Sequence, residues 1–163
     1  MFAWIALLPA LSPAASAASE VGSEKPIGIG VEAGNAAYAN LSAKFWLSDK
    51  AGISAHAGTL FVYHEVGARF EADFVEWSFD WADLPMWWWV GADVGLYSNA
   101  GYSAVQVGPS GGIGAALQFA DFPGEVFATT GLGVYPANYC SGLGSGGLCV
   151  IQPRGTAGFR YYF

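Results

Sequence analysis

Two histidines, His56 and His64, and two cysteines, Cys140 and Cys149, are the scarcest reactive side chains in this 163-residue chain. A nucleophilic serine needs a base beside it. Ser98, within Tyr97-Ser98-Asn99-Ala100-Gly101, has a leucine two residues upstream, so either histidine reaches it only through tertiary packing. Gly142-x-Gly144-x-x-Gly147 has the spacing of a dinucleotide fingerprint, but Leu148 to Pro153 offers no helix to receive a pyrophosphate. Neither a P-loop nor zinc-ligand spacing occurs. The expectation is a protein that is not an enzyme, with no catalytic residue, no cofactor and no metal site. Cys140 and Cys149 bracket a Gly-rich stretch without a nearby histidine. In an exported chain that pair reads as a disulfide clipping one loop, restricting the unfolded state by about 2.7 kcal/mol.

The elements that carry these residues show in composition first. Apolar residues make up 53% of the chain and charged residues 12%, against roughly 25% charged in soluble domains. With 23 glycines, a bundle of membrane helices is excluded, because each interior glycine costs about 1 kcal/mol of helix. A net charge of −7 has the wrong sign for nucleic acid, which is not expected as a partner. Residues 1–19 carry no charge. The apolar run Phe2–Leu11 followed by Ala15-Ser16-Ala17 reads as a signal peptide over residues 1–17. Residues 18–163 then form one exported domain.

Within that domain the hydrophobic period is two. Val66, Ala68, Phe70, Ala72 and Phe74 alternate with Gly67, Arg69, Glu71 and Asp73. Leu41–Leu47, Val90–Leu96 and Val126–Val134 repeat the pattern. Eight strand segments follow, at about 26–34, 39–47, 52–60, 65–76, 86–97, 106–119, 125–135 and 154–163, separated by turn-forming stretches. The longest of these connections are Trp77–Pro85 and Pro136–Gln152.

Alternation fits a soluble calyx with an apolar centre and also a membrane barrel with the opposite sidedness. The second face decides between them. Gly28, Gly30, Gly67, Gly91, Gly95, Gly131, Gly133 and Gly158 share it with Glu32, Lys44, Arg69, Glu71, Asp93 and Arg160. A narrow eight-stranded interior suits glycine interleaved with large polar groups, and charges there must pair. These six residues are the expected ion pairs of the lumen, forming a plug in preference to a conducting path. Trp77, Trp81, Trp87, Trp88 and Trp89, with Phe45, Trp46, Phe119, Phe122 and Phe163 near strand ends, are expected in an interfacial girdle. The fold expected is all-β, an eight-stranded antiparallel up-and-down transmembrane β-barrel.

The ending Gly158-Phe159-Arg160-Tyr161-Tyr162-Phe163 places Phe159, Tyr161 and Phe163 on one face. It resembles the last strand of bacterial outer-membrane barrels, where a terminal aromatic is the signal read by the barrel-assembly machinery. Leu41-Ser-Ala-Lys44-Phe-Trp46-Leu-Ser, Leu84-Pro-Met-Trp87 and Arg160-Tyr-Tyr-Phe163 look like a family of small outer-membrane barrels known from spirochaetes and other bacteria. Phe45 stands where that family has tyrosine. The resemblance implies an OmpA-like transmembrane domain in the bacterial outer membrane, with outer-membrane lipid and the assembly machinery as partners. It implies a structural role, or surface interaction with an extracellular ligand through the loops. A porin-like channel and a lipid A deacylase-like enzyme are the alternatives; Tyr97–Gly101 is similar to a deacylase His-x-Ser-Asn-Ala segment lacking its histidine.

Overall fold

The computed structural model describes residues 21–22, 24–34, 39–99, 102–135, 137–141 and 151–163. The expected leader, residues 1–17, lies outside them. So does the expected disulfide, since Cys149 is not among the described residues.

Among the described residues, nine strands occur in chain order: β1 (Ile27–Gly34), β2 (Asn40–Ser48), β3 (Ala51–Leu60), β4 (Tyr63–Ser78), β5 (Ala82–Asn99), β6 (Tyr102–Phe119), β7 (Gly124–Val134), β8 (Ala137–Ser141) and β9 (Ile151–Tyr162). All pairings are antiparallel and join neighbours, from β1–β2 round to β5–β6 and β6–β7. The ring closes where β9 pairs both β7 and β1. β8 continues the seventh stave along the upper part of β6, opposite Ser103–Val107, while β7 lies opposite Ser110–Gln118. The architecture is therefore an eight-stranded, closed, up-and-down barrel.

The eight expected segments correspond one to one with these staves, but the connections are shorter than the sequence indicates. The expected Trp77–Pro85 connection is a correction: β4 runs on to Ser78 and β5 starts at Ala82. Backbone pairing of Glu76 with Pro85 and Trp77 with Leu84 carries the ladder through it. Proline is tolerated there because its other neighbour, β6, makes no pairing with residues 84 and 85. The expected Pro136–Gln152 loop likewise loses residues to β8 and β9.

One end of the barrel gathers the Ser48–Lys50, Phe79–Trp81 and Ala120–Pro123 turns with the C-terminus; call it the turn end. The other, the loop end, holds the connections after β1, β3, β5 and β8. At this end Phe61 and Val62 form a two-residue turn, and Phe61 adopts φ 48°.

Sidedness follows the alternation. Ile29, Val31, Leu41, Ile53, Val66, Val90 and Leu132 lie on the outer face, each about half exposed or more. Glu32, Lys44, Arg69, Glu71, Asp93 and Arg160 all lie inside, none more than 4% exposed. A calyx with an apolar centre is excluded by this arrangement.

Candidate functional site

The lumen is the only place where this chain concentrates buried ionic groups among the described residues. Strand parity puts them there: residues opposite one another in adjacent strands share a face. Lys44 lies opposite Ser54, and Ser54 opposite Arg69; Gly28 lies opposite both Lys44 and Tyr162. Glycine at the interior positions makes room. A Cβ on Gly28 would stand 2.6 Å from the Tyr162 ring, and one on Gly114 would stand 2.5 Å from the Trp87 indole.

Two groups of charges result. Toward the turn end, Lys44 Nζ meets Glu71 Oε2 at 2.9 Å and lies over the Trp46 and Trp87 rings at 3.8 and 4.9 Å. Ser54 Oγ also donates to Glu71. Beside them, Arg160 Nη1 donates to Glu125 Oε1 at 2.9 Å, and Tyr162 donates to the same oxygen at 2.8 Å. Gln118 donates to the other Glu125 oxygen at 3.3 Å. The Arg160 guanidinium also covers the Phe127 ring at 3.9 Å and donates from Nε to Ser42 Oγ. Fully desolvated guanidinium and ammonium groups persist only with such partners.

Nearer the loop end, Ser42 Oγ donates to Glu32 Oε2 at 3.1 Å. Glu32 lies 3.6 Å from Arg69 and 3.8 Å from Arg160, linking the two groups. Arg69 also lies over Trp89 at 5.1 Å. His56 Nε2 is 3.3 Å from Glu65 Oε1 and 3.3 Å from Asp93 Oδ1. Arg154 reaches the same two carboxylates, 3.2 Å from Asp93 and in tighter contact with Glu65. Ser110 Oγ donates to Asp93 Oδ2 at 2.6 Å.

All six expected lumen residues thus lie in the charged interior, and four further ionisable groups there were not expected from the sequence. His56, Glu65, Glu125 and Arg154 are buried here, with Ser42, Ser54, Ser110 and Gln118 completing their bonds. The signal was present in parity, since His56 continues the inward face through Ser54, but its outward-facing neighbours are only the small Ala55 and Ala57, which weakens the alternation.

The girdle needs correction. Trp46, Trp87 and Trp89 point inward and are buried, filling the lumen beside the cations; Trp88, between two of them, points outward. The outer face at the turn end carries an aromatic row that keeps Trp81, Phe119, Phe122 and Phe163 of the expected girdle and adds Phe79 and Tyr161. Phe79, Trp81, Phe119, Phe122, Tyr161 and Phe163 contact one another in succession, with centroids 5.0 to 6.4 Å apart. Phe122 also stacks on Phe159 at 6.1 Å. The three residues of the expected assembly signal, Phe159, Tyr161 and Phe163, therefore lie on the outer face, inside this row.

Ser98 and His64 are exposed on the outside, where His64 Nδ1 bonds to Thr59 Oγ1 at 2.8 Å. His56, in the lumen, is on the opposite side of the wall from Ser98. Past the turn-end rim β4 has no β3 partner beyond Ala72, and the β4–β5 hairpin overhangs. There the Glu76 carboxyl is held above its usual range by partial burial and by the neighbouring Asp83 charge. No protein-family model, curated protein or solved structure matches this chain.

Proposed function

We propose that the protein is an integral barrel of the bacterial outer membrane, with a structural or surface-interaction role and an ion-paired plug in its lumen. The observation that carries this reading is sidedness. Leu41 at 70% exposed, Val31 at 56% and Ile29 at 55% belong to an apolar outer wall. A soluble monomer rarely exposes a contiguous apolar patch beyond a few hundred Å². β1, β2 and β3, at 8, 9 and 10 residues, are close to the 9–11 residues that cross a bilayer when tilted. The aromatic row at the turn end matches an interfacial girdle.

The finer reading is an OmpA-like transmembrane domain of the spirochaete-type small-barrel kind, exported by a signal peptide over residues 1–17. The assembly machinery reads Phe159, Tyr161 and Phe163, and the Cys140–Cys149 disulfide clips the loop after β8. Outer-membrane lipid is the principal partner, and the loops present a surface to an extracellular ligand. Plugging is favoured over conduction because Trp46, Trp87, Trp89, Phe127, Tyr135 and Tyr162 fill the interior. Catalysis is not favoured: Ser98 and the buried His56 lie on opposite sides of the wall.

Refolded into detergent, the protein should migrate differently in SDS before and after boiling, and in planar bilayers it should give no steady unitary current. A protein that stays in aqueous solution without detergent would overturn the membrane reading. A regular conductance would instead replace the plug by a pore.

A further inference from the structure

The charges of the lumen do not balance evenly. Toward the turn end, Lys44 and Arg160 face Glu71 and Glu125, two against two. Toward the loop end, Glu32, Glu65 and Asp93 face Arg69 and Arg154, three against two, and the shortfall is centred on His56. His56 Nε2, Glu65 Oε1 and Asp93 Oδ1 lie within 4.8 Å of one another. The two distances from His56 Nε2 are both 3.3 Å. A tetrahedral zinc ion with bonds near 2.1 Å holds its ligand atoms about 3.4 Å apart.

Three features show that the strands make room for this convergence. His56 lies opposite Gly67 in the β3–β4 ladder, and Gly67 lies opposite Asp93 in the β4–β5 ladder. A Cβ on Gly67 would be 2.4 Å from both Asp93 Oδ1 and His56 Cε1, so glycine is what lets the two side chains meet. Asp93 is 2% exposed, and its Oδ1 accepts no hydrogen bond although Oδ2 is held by Ser110. That oxygen is held only by charge, facing His56 and the Arg154 guanidinium at 3.3 and 3.2 Å. On the other side of the ring, His56 Nδ1 faces Glu32 Oε1 at 3.9 Å. This is the side from which a carboxylate orients a metal-bound imidazole.

We infer that His56, Glu65 and Asp93 form a site for one divalent transition-metal cation, with Zn²⁺ the best fit to one imidazole and two carboxylates, and that the ion exchanges with the Arg154 guanidinium. Arg154 reaches in from β9 and touches both carboxylates, the position a bound cation takes. An imidazole ligand sets the preference against Mg²⁺ and Ca²⁺, which select all-oxygen shells. Glu65 and Arg154, 6% and 8% exposed, are the least buried ionic groups of the lumen and mark the side from which an ion enters.

The test is titration of the refolded barrel in detergent with Zn²⁺, by calorimetry and by competition with a chromophoric chelator. Each variant is first checked for its folded band in SDS. One ion should bind the wild type, His56→Gln and Asp93→Asn should each weaken it at least tenfold, and Arg154→Gln should tighten it by a similar factor. Co²⁺ in place of Zn²⁺ should give visible d–d bands that His56→Gln removes. Zinc binding unchanged by His56→Gln and Asp93→Asn would assign the ion to the exposed acids instead. No binding in either the wild type or Arg154→Gln would overturn the site. If His56→Gln does not fold, the Arg154→Gln titration and the Gly67→Ala variant, which should weaken binding by crowding the ligands, decide the matter.

Discussion

Arg160 and Arg69 stand in the same lumen, yet their surroundings differ in a way that sets their energetic weight. Arg160 is 1% exposed, bonded to Glu125 and Ser42, and stacked on Phe127. Arg69 has one carboxylate, Glu32, at 3.6 Å, and its Nε has no hydrogen-bond partner. Replacing Arg160 by Met leaves Glu125 with only neutral donors, and removing one partner of a buried pair costs about 3–5 kcal/mol. Arg69→Met leaves Glu32 still held by Ser42 and near Arg160, so roughly 1–3 kcal/mol is expected. Urea unfolding in lipid vesicles, followed by tryptophan emission, should rank the two variants in that order. An unchanged midpoint together with a new unitary conductance in Arg69→Met would mean that these groups line a path and do not brace the wall. Which residues enter the lumen was legible where a charge interrupts bulky apolar neighbours, as at Arg69 and Glu71. It was obscured in Trp87-Trp88-Trp89. Val90 and Ala92 lie on the outer face, so two-residue alternation sends Trp88 outward and Trp87 and Trp89 inward. Reading five tryptophans as one cluster ignored that parity.

At the scale of elements, strand identity was readable because glycine and polar groups alternate with branched or aromatic side chains over whole staves. Strand ends were not, since residues usually assigned to turns can remain paired when a neighbour supplies the ladder, as Pro85 does opposite Glu76. The β3–β4 turn shows the reverse conflict. Two-residue hairpin turns favour Asn-Gly because their central residues take positive φ, whereas this one has Phe61-Val62, and Phe61 is 92% exposed at φ 48°. A left-handed conformation costs an L-residue roughly 1–2 kcal/mol. Phe61→Asn should therefore raise stability in detergent by about 1 kcal/mol, read from the urea midpoint; a fall would mean that the ring makes contacts worth more than the strain. The overhanging β4–β5 hairpin gives a pH-dependent case. Burial and Asp83 raise the Glu76 carboxyl above its unfolded value. Its ionised form therefore opposes folding at neutral pH, and the opposition fades as pH falls through the raised value. Glu76→Gln should stabilise the barrel at pH 7, with the gain vanishing below the ordinary glutamate range. A gain that persists at pH 3 would point to packing and not charge.

For the whole molecule, the distribution of charge sets an orientation. Residues 94–120 and 126–153 contain no Asp, Glu, Lys or Arg, and those stretches supply the loop-end parts of β5, β6, β7 and β8. Outside the lumen, the described charges lie at or beyond the turn end: Glu24, Lys25, Asp49, Lys50, Asp73, Glu76, Asp80, Asp83 and Asp121. Seven acids against two lysines cannot pass an apolar membrane cheaply, because each ion loses its hydration on entering hydrocarbon. In the outer-membrane setting proposed above, the uncharged end is then the one to cross the bilayer during insertion, and the acidic end the one to stay in the periplasm. Under that proposal the same direction would leave the aromatic row of Trp81, Phe119, Phe122 and Phe163 at the inner interface, next to the charges that stop further travel. An epitope inserted between Phe61 and Val62 should be detected by antibody on intact cells. The same epitope after Asp121 should be detected only once the outer membrane is permeabilised. Detection of the Asp121 insertion on intact cells would invert the barrel, and with it the assignment of which loops meet the outside.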